Sequence, residues 1–76
     1  MKLSEFYRAV DDEFGSAYGG SLLADLALLE LGGRSARVAL SEGQEPREVW
    51  LALCRETGVP RERWYGAGRP EPRRDE

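Results

Sequence analysis

The alternation of apolar and polar positions is most regular in the stretch 46–60, PREVWLALCRETGVP. Its apolar side chains recur at spacings of three and four residues, which places them on one face of a helix. The side chains on this face are Val49, Trp50, Leu53 and Cys54. Pro46 suits the first position of a helix, and Gly58 suits the position just past its end. The pattern therefore predicts a helix over 46–57 whose apolar face must be covered by the rest of the chain.

A similar pattern opens the chain. Phe6, Val10 and Phe14 follow one another at intervals of four residues and predict a helix over 4–14, with Ser4 as its N-cap. Three acidic residues end this helix, Asp11, Asp12 and Glu13. Their charge opposes the helix dipole, so we expect an arginine or the start of the next helix nearby. A solvated face is favoured over a cation site, because adjacent residues on a helix point in different directions.

The leucine-rich stretch that follows predicts a helix over 17–31. Its inward stripe consists of Leu22, Leu26 and Leu29. Gly19 and Gly20 leave two alternatives open. One is a continuous helix from Ala17 that crosses a neighbouring helix closely at the glycines. The other is a loop followed by a shorter helix with Ser21 as its N-cap.

The second half of the chain begins with a short helix predicted over 35–42 and capped by Ser35. Together with the helix over 46–57, it forms a pair that resembles a helix-turn-helix. The run 61–65 predicts one more turn of helix. Residues 66–76 are rich in proline and glycine and contain no large apolar side chain, so we predict a disordered tail.

These segments predict an all-α fold, a compact bundle of about four short helices forming one domain over 1–65. With one cysteine and no histidine, neither a disulfide nor a zinc site is expected to stabilise it. Stability must therefore come from packed apolar helix faces. The predicted core consists of Phe6, Val10, Leu26, Leu40, Val49, Trp50 and Leu53.

Two features of the sequence bear on location. The N-terminal residues lack the apolar run of a signal peptide, and the longest apolar run, 26–29, is too short to cross a membrane. A single cysteine within an apolar pattern suits a reducing compartment. We therefore expect a cytoplasmic protein without a membrane partner.

The net charge of −3 is unevenly distributed along the chain. Residues 1–31 contain two basic and six acidic side chains, a net charge of −4, whereas residues 32–76 contain nine basic and eight acidic ones, a net charge of +1. Proteins that bind nucleic acid without sequence preference usually carry a basic stripe. This sequence has none, so it does not favour that class.

The sequence offers no candidate residue for catalysis, cofactor binding or metal coordination. Acid–base and nucleophilic catalysis need a positioned group with a tuned pKa, and without histidine only Cys54 and the carboxylates remain. Cys54 falls on the buried side of its helix, one turn from Trp50, where a thiol is unreactive. We therefore expect a protein that is not an enzyme and needs no cofactor.

The favoured function is interaction with another protein. Four short helices cannot cover every large apolar side chain, and exposed aromatic residues are typical of interface cores. The candidate interaction surface consists of Tyr7, Tyr18, Leu51, Trp64 and Tyr65. The sequence does not identify the partner, and a second copy of the chain is one of the candidates. The alternative is that these side chains only cover a thin core.

DNA binding by the helix-turn-helix-like pair is the alternative function. The second helix of such a pair enters the major groove, and Arg47 and Arg55 are its candidate DNA contacts. The same helix also carries Glu48 and Glu56, which phosphates would repel. The sequence therefore supports nucleic acid as a partner less well than protein.

Five short motifs resemble those of one protein family. They are MKLSEF at the N-terminus, FGSAY at 14–18, LGGRS at 31–35, ALSEG at 39–43 and VWLALC at 49–54. The chain is similar over 1–63 to small actinobacterial proteins called domain of unknown function 3046. The resemblance implies a helical, uncharacterised protein often encoded beside the recombinase and its regulator, which would link the DNA-binding alternative to recombination or repair. Gly19, Gly20 and Leu22 depart from the family, which has more polar or aromatic residues there.

Overall fold

The computed structural model describes residues 1–64, and the main elements within this range are all helices. The α-helices are α1 (Leu3–Phe14), α2 (Ser16–Asp25), α3 (Ala36–Ser41) and α4 (Pro46–Thr57), and two 3-10 turns span Leu29–Leu31 and Arg61–Arg63. The all-α prediction is confirmed. Among residues 1–64 the only β-type pairing is one isolated bridge between Leu28 and Arg34. Tyr65 and the predicted tail, 66–76, lie outside the described residues.

The apolar face of α4 lies at the centre of the fold, as the spacing predicts. Val49, Trp50, Leu53 and Cys54 are all buried, and α4 begins with Pro46 at its first turn. The helix ends at Gly58, whose φ of 77° only glycine adopts without strain. There the N–H of Val59 donates to the carbonyl of Cys54 at 3.0 Å. The start, the end and the buried face predicted for this helix are confirmed.

The core draws on every helix. Its members are Phe6, Ala9, Val10, Leu23, Leu28, Leu31, Ala36, Ala39, Val49, Trp50, Ala52, Leu53, Cys54 and Val59. Leu26 and Leu40, which the sequence also assigns to the core, are half-buried and pack against it. The rings of Phe6 and Trp50 meet edge to face with centroids 6.4 Å apart, which joins α1 to α4.

The predicted N-cap of α1 is wrong. The helix begins at Leu3, with Lys2 as the N-cap and Ser4 exposed inside the first turn. The backbone N–H of Lys2 donates to a carboxylate oxygen of Glu5 at 2.6 Å. Because this bond satisfies one of the donors at the helix start, the helix can begin earlier than a serine cap would allow.

The prediction for the second helix is wrong over 26–31. α2 ends at Asp25, and the chain then extends so that the N–H of Leu28 donates to the carbonyl of Arg34 at 2.9 Å. Gly32 and Gly33, both at positive φ, turn the chain back toward this pairing. The change of direction buries Leu28 and Leu31 and leaves Leu29, a member of the predicted inward stripe, 76% exposed. The other two members of that stripe, Leu22 and Leu26, are half-buried.

The side chain of Arg34 connects this loop, through hydrogen bonds, to the segment that follows Ser41. Its Nε donates to the carbonyl of Leu31 at 2.8 Å, and its two terminal nitrogens reach the side chains of Glu42 and Gln44. These partners lie eight and ten residues away along the chain, so local periodicity does not reveal them. The loop is therefore held by a fork of hydrogen bonds rather than by helical structure.

α3 and the turn after it follow the prediction. The Ser35 side chain accepts a hydrogen bond from the N–H of Val38 at 3.2 Å, which confirms the predicted cap. α3 extends over Ala36–Ser41, slightly shorter than the predicted 35–42, and Gly43 turns the chain with a φ of 94°. Ala36 and Ala39 face the core.

Gly19 marks the close crossing of α1 and α2. The helix is continuous from Ser16, which confirms the first of the two alternatives for this segment. A Cβ added at Gly19 would lie 2.7 Å from Cγ1 of Val10, closer than two carbon atoms can approach. At Gly20 an added Cβ would meet nothing within 4 Å. The two adjacent glycines therefore have different roles.

This difference predicts opposite effects of the same substitution. Gly19→Ala is expected to lower the free energy of unfolding by about 1–3 kcal/mol, because the added methyl overpacks the crossing. Gly20→Ala, the matched control, should raise it by about 0.5–1 kcal/mol through better helix propensity. Urea denaturation followed by circular dichroism measures both changes. Equal effects of the two substitutions would contradict the close crossing.

Candidate functional site

The most exposed aromatic side chains in the described part of the chain are Tyr7 on α1, at 39%, and Tyr18 on α2, at 61%. The aliphatic side chain of Leu3, also on α1, is 47% exposed. On α1, Leu3, Tyr7 and Phe14 are separated by four and seven residues and so lie along one side of the helix. The ring of Phe14, half-buried, meets that of Tyr18 with centroids 6.1 Å apart, which extends this side onto α2.

We call this surface the α1 face and define it as Leu3, Tyr7, Asp11, Phe14 and Tyr18. It adjoins the buried side of α1, where Phe6, Ala9 and Val10 lie. α1 packs against both α2 and α4, and Phe14 is half-buried against the core. Leu3 and Tyr7 are the apolar side chains of the α1 face on this helix that the described part of the fold leaves exposed.

Tyr7 and Tyr18, both predicted for the interaction surface, thus belong to the α1 face. Tyr7 keeps an edge-to-face contact with Phe6, at 5.4 Å between centroids, so its ring is held in place while one side meets solvent. Leu3 joins them through its four-residue spacing to Tyr7. That spacing is visible in the sequence, but Leu3 is not among the residues predicted for the interaction surface.

Trp64, also predicted for the interaction surface, has contacts within the fold. It is half-buried; its indole N–H donates to the carbonyl of Val59 at 3.0 Å, and its own carbonyl accepts the indole N–H of Trp50. The guanidinium carbons of Arg55 and Arg61 lie 5.8 and 5.7 Å from its ring centroid. Trp64 therefore closes the C-terminal end of α4.

Leu51 and Tyr65 complete the predicted interaction surface. Leu51 lies on α4 and packs, half-buried, against the core. Tyr65 lies outside the described residues. Leu3, Tyr7 and Phe14 thus lie along one side of α1 with Tyr18 against Phe14, whereas Leu51 packs against the core and Trp64 contacts Val59 and Trp50.

The two candidate DNA contacts differ in their surroundings. Arg47 is exposed on the first turns of α4. Arg55 forms a two-pronged ion pair with Glu30, with its Nε 2.8 Å and a terminal nitrogen 2.7 Å from the two carboxylate oxygens. The hydrogen bonds from Arg55 lower the pKa of the Glu30 carboxyl, and those to Glu30 raise the pKa of Arg55. Arg55 would have to leave this pair to reach a phosphate.

The Glu30–Arg55 pair predicts a pH-dependent contribution to stability. The pKa of Glu30 in the folded chain is below its ordinary value of 4.5, so the contribution is present above pH 4.5 and is lost as the pH falls through the folded pKa. Glu30→Gln should therefore lower the midpoint of thermal unfolding at neutral pH and have little effect at the acid end. In an Arg55→Gln background the same substitution should have no further effect; a full effect there would contradict the pair as its cause.

Cys54 lies fully buried on α4. Burial raises the pKa of its thiol to about 12, and the negative charge of Glu13 acts in the same direction. At neutral pH the thiol is therefore protonated, and the thiolate that acts as a nucleophile is scarce. Within residues 1–64, no group of three or more cysteine, histidine or acidic side chains is placed to hold a metal ion.

Burial of Cys54 predicts slow reaction with thiol reagents. In the native chain, a chromogenic disulfide reagent at pH 7.5 should label Cys54 only at the rate of transient opening, whereas the chain in 8 M urea should react at once. As a control, Leu29→Cys in a Cys54→Ala background places a thiol at an exposed position and should react rapidly without denaturant. Equally rapid labelling of native Cys54 would contradict its burial.

The acidic end of α1 is partly compensated by an arginine, as its unfavourable position predicts. A terminal nitrogen of Arg63 lies 2.8 Å from one carboxylate oxygen of Glu13, although 50 residues separate them in the sequence. The Glu13 side chain is only 6% exposed, and its other oxygen is buried without a hydrogen-bond partner among the described residues. Asp11 and Asp12 are exposed, and no group of acidic side chains in residues 1–64 is placed to hold a metal ion. The three acids therefore do not converge on a common site.

Comparison with known proteins gives a family but no activity. The sequence model of a family described as protein of unknown function (DUF3046) matches residues 1–62. A protein of Mycobacterium tuberculosis whose given name assigns it to an envelope-preserving system is 49% identical over 37 residues, which cover 49% of this chain and 13% of that protein. No solved structure matches the chain. Among the helices of residues 1–64, none has the length and apolar character needed to cross a membrane.

Proposed function

The chain belongs to the DUF3046 family of proteins of unknown function, and we propose that it is a small, non-catalytic protein-interaction module. The observation that carries the proposal is the α1 face. Singly exposed apolar residues are common on small domains. Here, however, they lie together along one helix and continue onto the next, which is the arrangement found at sites of protein association.

The composition of the α1 face supports a protein partner. Its two tyrosines each present a large, rigid ring with a polar tip, and tyrosine is enriched among the residues that dominate binding energy at interfaces. Tyr7 is already oriented by its contact with Phe6, and Tyr18 by its contact with Phe14. Little side-chain freedom is therefore lost on binding, which favours affinity.

The non-catalytic part of the proposal rests on Cys54 and on the residue types present. The only cysteine in the chain is buried with a raised pKa, and the chain contains no histidine. A buried, protonated thiol also suits a reducing compartment, so we include a cytoplasmic location in the proposal. The match to the Mycobacterium protein covers a small part of that protein, and the proposal does not extend its named role to this chain.

DNA binding by α3 and α4 has less support. The two helices are joined through a turn at Gly43 in a helix-turn-helix-like order, and Arg47 is exposed. The other candidate contact, Arg55, is paired with Glu30, and Glu48 and Glu56 are exposed on the same helix. A helix with this charge pattern would bring carboxylates toward the phosphate backbone.

Affinity capture from extracts of the source cells tests the proposal. The full chain should retain specific proteins, and the double substitution Leu3→Ser, Tyr7→Ser should release them because it removes the apolar part of the α1 face. Leu29→Ser is the matched control, since it removes a leucine outside α1, in the first 3-10 turn, that is even more exposed than Leu3. Circular dichroism verifies that all variants remain helical.

Two results would contradict the proposal. One is a set of captured proteins that is identical for the native chain and the double variant. The other is a shift of duplex DNA at low salt that is lost with Arg47→Glu and kept with Leu3→Ser, Tyr7→Ser, which would favour α4 as a DNA-reading helix.

A further inference from the structure

Residues 60–64 fold back on the end of α4, and we call this short segment the C-terminal strap. It begins just after Val59, whose N–H still belongs to the hydrogen bonds that end α4. Inside the strap the N–H of Arg63 donates to the carbonyl of Pro60 at 2.9 Å. A bond between residues three apart has poorer geometry than the bonds of an α-helix. The strap therefore depends on its contacts with the rest of the chain.

Two of these contacts join the strap to different helices. The indole N–H of Trp50, on α4, donates to the carbonyl of Trp64. A terminal nitrogen of Arg63 lies 2.8 Å from a carboxylate oxygen of Glu13, in the last turn of α1. The ring of Trp50 also packs against that of Phe6, so the contact between α1 and α4 does not depend on the strap. The strap can therefore leave its position while these helices remain packed.

The carboxylate of Glu13 is costly to keep where it lies. Its side chain is only 6% exposed, and one of its oxygens is buried without a hydrogen-bond partner among the described residues. A carboxylate in such a place loses hydration that is only partly replaced. The helix dipole at the end of α1 also disfavours a negative charge there. Among residues 1–64, Arg63 is the cation paired with this carboxylate, so the strap supplies its compensating charge.

The two partners of this ion pair differ in burial. The side chain of Arg63 is 51% exposed, so its guanidinium keeps part of its hydration while it is paired. Loss of the pair therefore costs Arg63 little, but it leaves an uncompensated charge at Glu13. That charge regains water only when the groups over it move away, and Arg63 is one of them. Hydration of Glu13 and release of the strap are therefore coupled.

We propose that the C-terminal strap opens and closes as a unit on the helical core, and that the Glu13–Arg63 pair controls this equilibrium. In the closed state Arg63 neutralises Glu13, and the carbonyl of Trp64 accepts the N–H of Trp50. In the open state water reaches the Glu13 carboxylate and the Trp50 N–H, while α1 to α4 stay folded. This inference goes beyond the proposed function, because it does not involve the α1 face.

Hydrogen exchange of the Trp50 indole N–H, followed by NMR, reports on this opening because its acceptor lies in the strap. In the full native chain this proton should be protected at least about tenfold less, relative to a free indole, than the backbone N–H groups of α4 are relative to an unfolded chain. Exchange of those groups requires the helix itself to open. Equal protection would overturn the inference, since the strap would then open only when the whole chain unfolds.

Two substitutions at the ion pair should have unequal effects. Arg63→Gln leaves the carboxylate of Glu13 buried and unpaired, so the Trp50 indole proton should exchange about tenfold faster. Glu13→Gln removes the buried charge together with the pair, so the increase should be at most about threefold. In a Glu13→Gln background, Arg63→Gln should have no further effect. Glu62→Gln, at an exposed position in the same turn, is the matched control and should change nothing.

Three results with these variants would also overturn the inference. One is an unchanged indole exchange rate with Arg63→Gln. Another is an equal acceleration by Arg63→Gln and Glu13→Gln, which is expected of an ion pair that solvent surrounds. The third is an equal acceleration of the Trp50 indole and the backbone of α4 by Arg63→Gln, which would assign the pair to the stability of the whole fold. The comparison within the native chain does not require any variant to fold.

Discussion

The indole of Trp50 is the contact on which the other elements depend. It is fully buried, its ring meets Phe6 of α1, and its N–H donates to the backbone of Trp64 in the turn after α4. One side chain thus joins the first and last described elements to α4. A small domain has few such contacts, because its core supplies only about 3–5 kcal/mol of net stability. The residues that cover Trp50 are therefore committed to the fold and are not free for other roles.

The distance along the chain over which each contact acts explains which parts of the fold could be predicted from the sequence. α4 could be predicted because its helical spacing, its first-turn proline and its terminal glycine all act within a few residues. The end of α2 could not, because the N–H of Leu28 donates to the carbonyl of Arg34, six residues ahead and beyond a glycine pair, and the Arg34 side chain then holds the loop. Leucine spacing alone favours a continued helix at that point. Once the helix ends, Leu28 and Leu31 are buried and Leu29 is exposed.

The residues of the candidate site also divide into those whose position could be predicted from the sequence and those whose position could not. Tyr7 and Tyr18 could be predicted as surface residues because the helices are too short to cover them. The role of Trp64 could not, since it depends on contacts with Val59, Arg55 and Arg61 that follow from the chain folding back on α4. Arg55 likewise reads in the sequence as an exposed base on a helix. Its partner, Glu30, is 25 residues away, and only the folded chain brings them together.

These long-range ion pairs also determine which charged side chains are neutralised within the fold. The acidic first half and the more basic second half meet through Glu13–Arg63 and Glu30–Arg55, so arginines from the second half are used inside the fold. An arginine in such a pair must break it before it can bind an acidic ligand. The exposed charges of α1 and α2 include Asp11 and Asp25 but also Arg8, and Lys2 precedes α1. The charge near the exposed tyrosines is therefore mixed, and the exposed apolar side chains are the feature that distinguishes this surface.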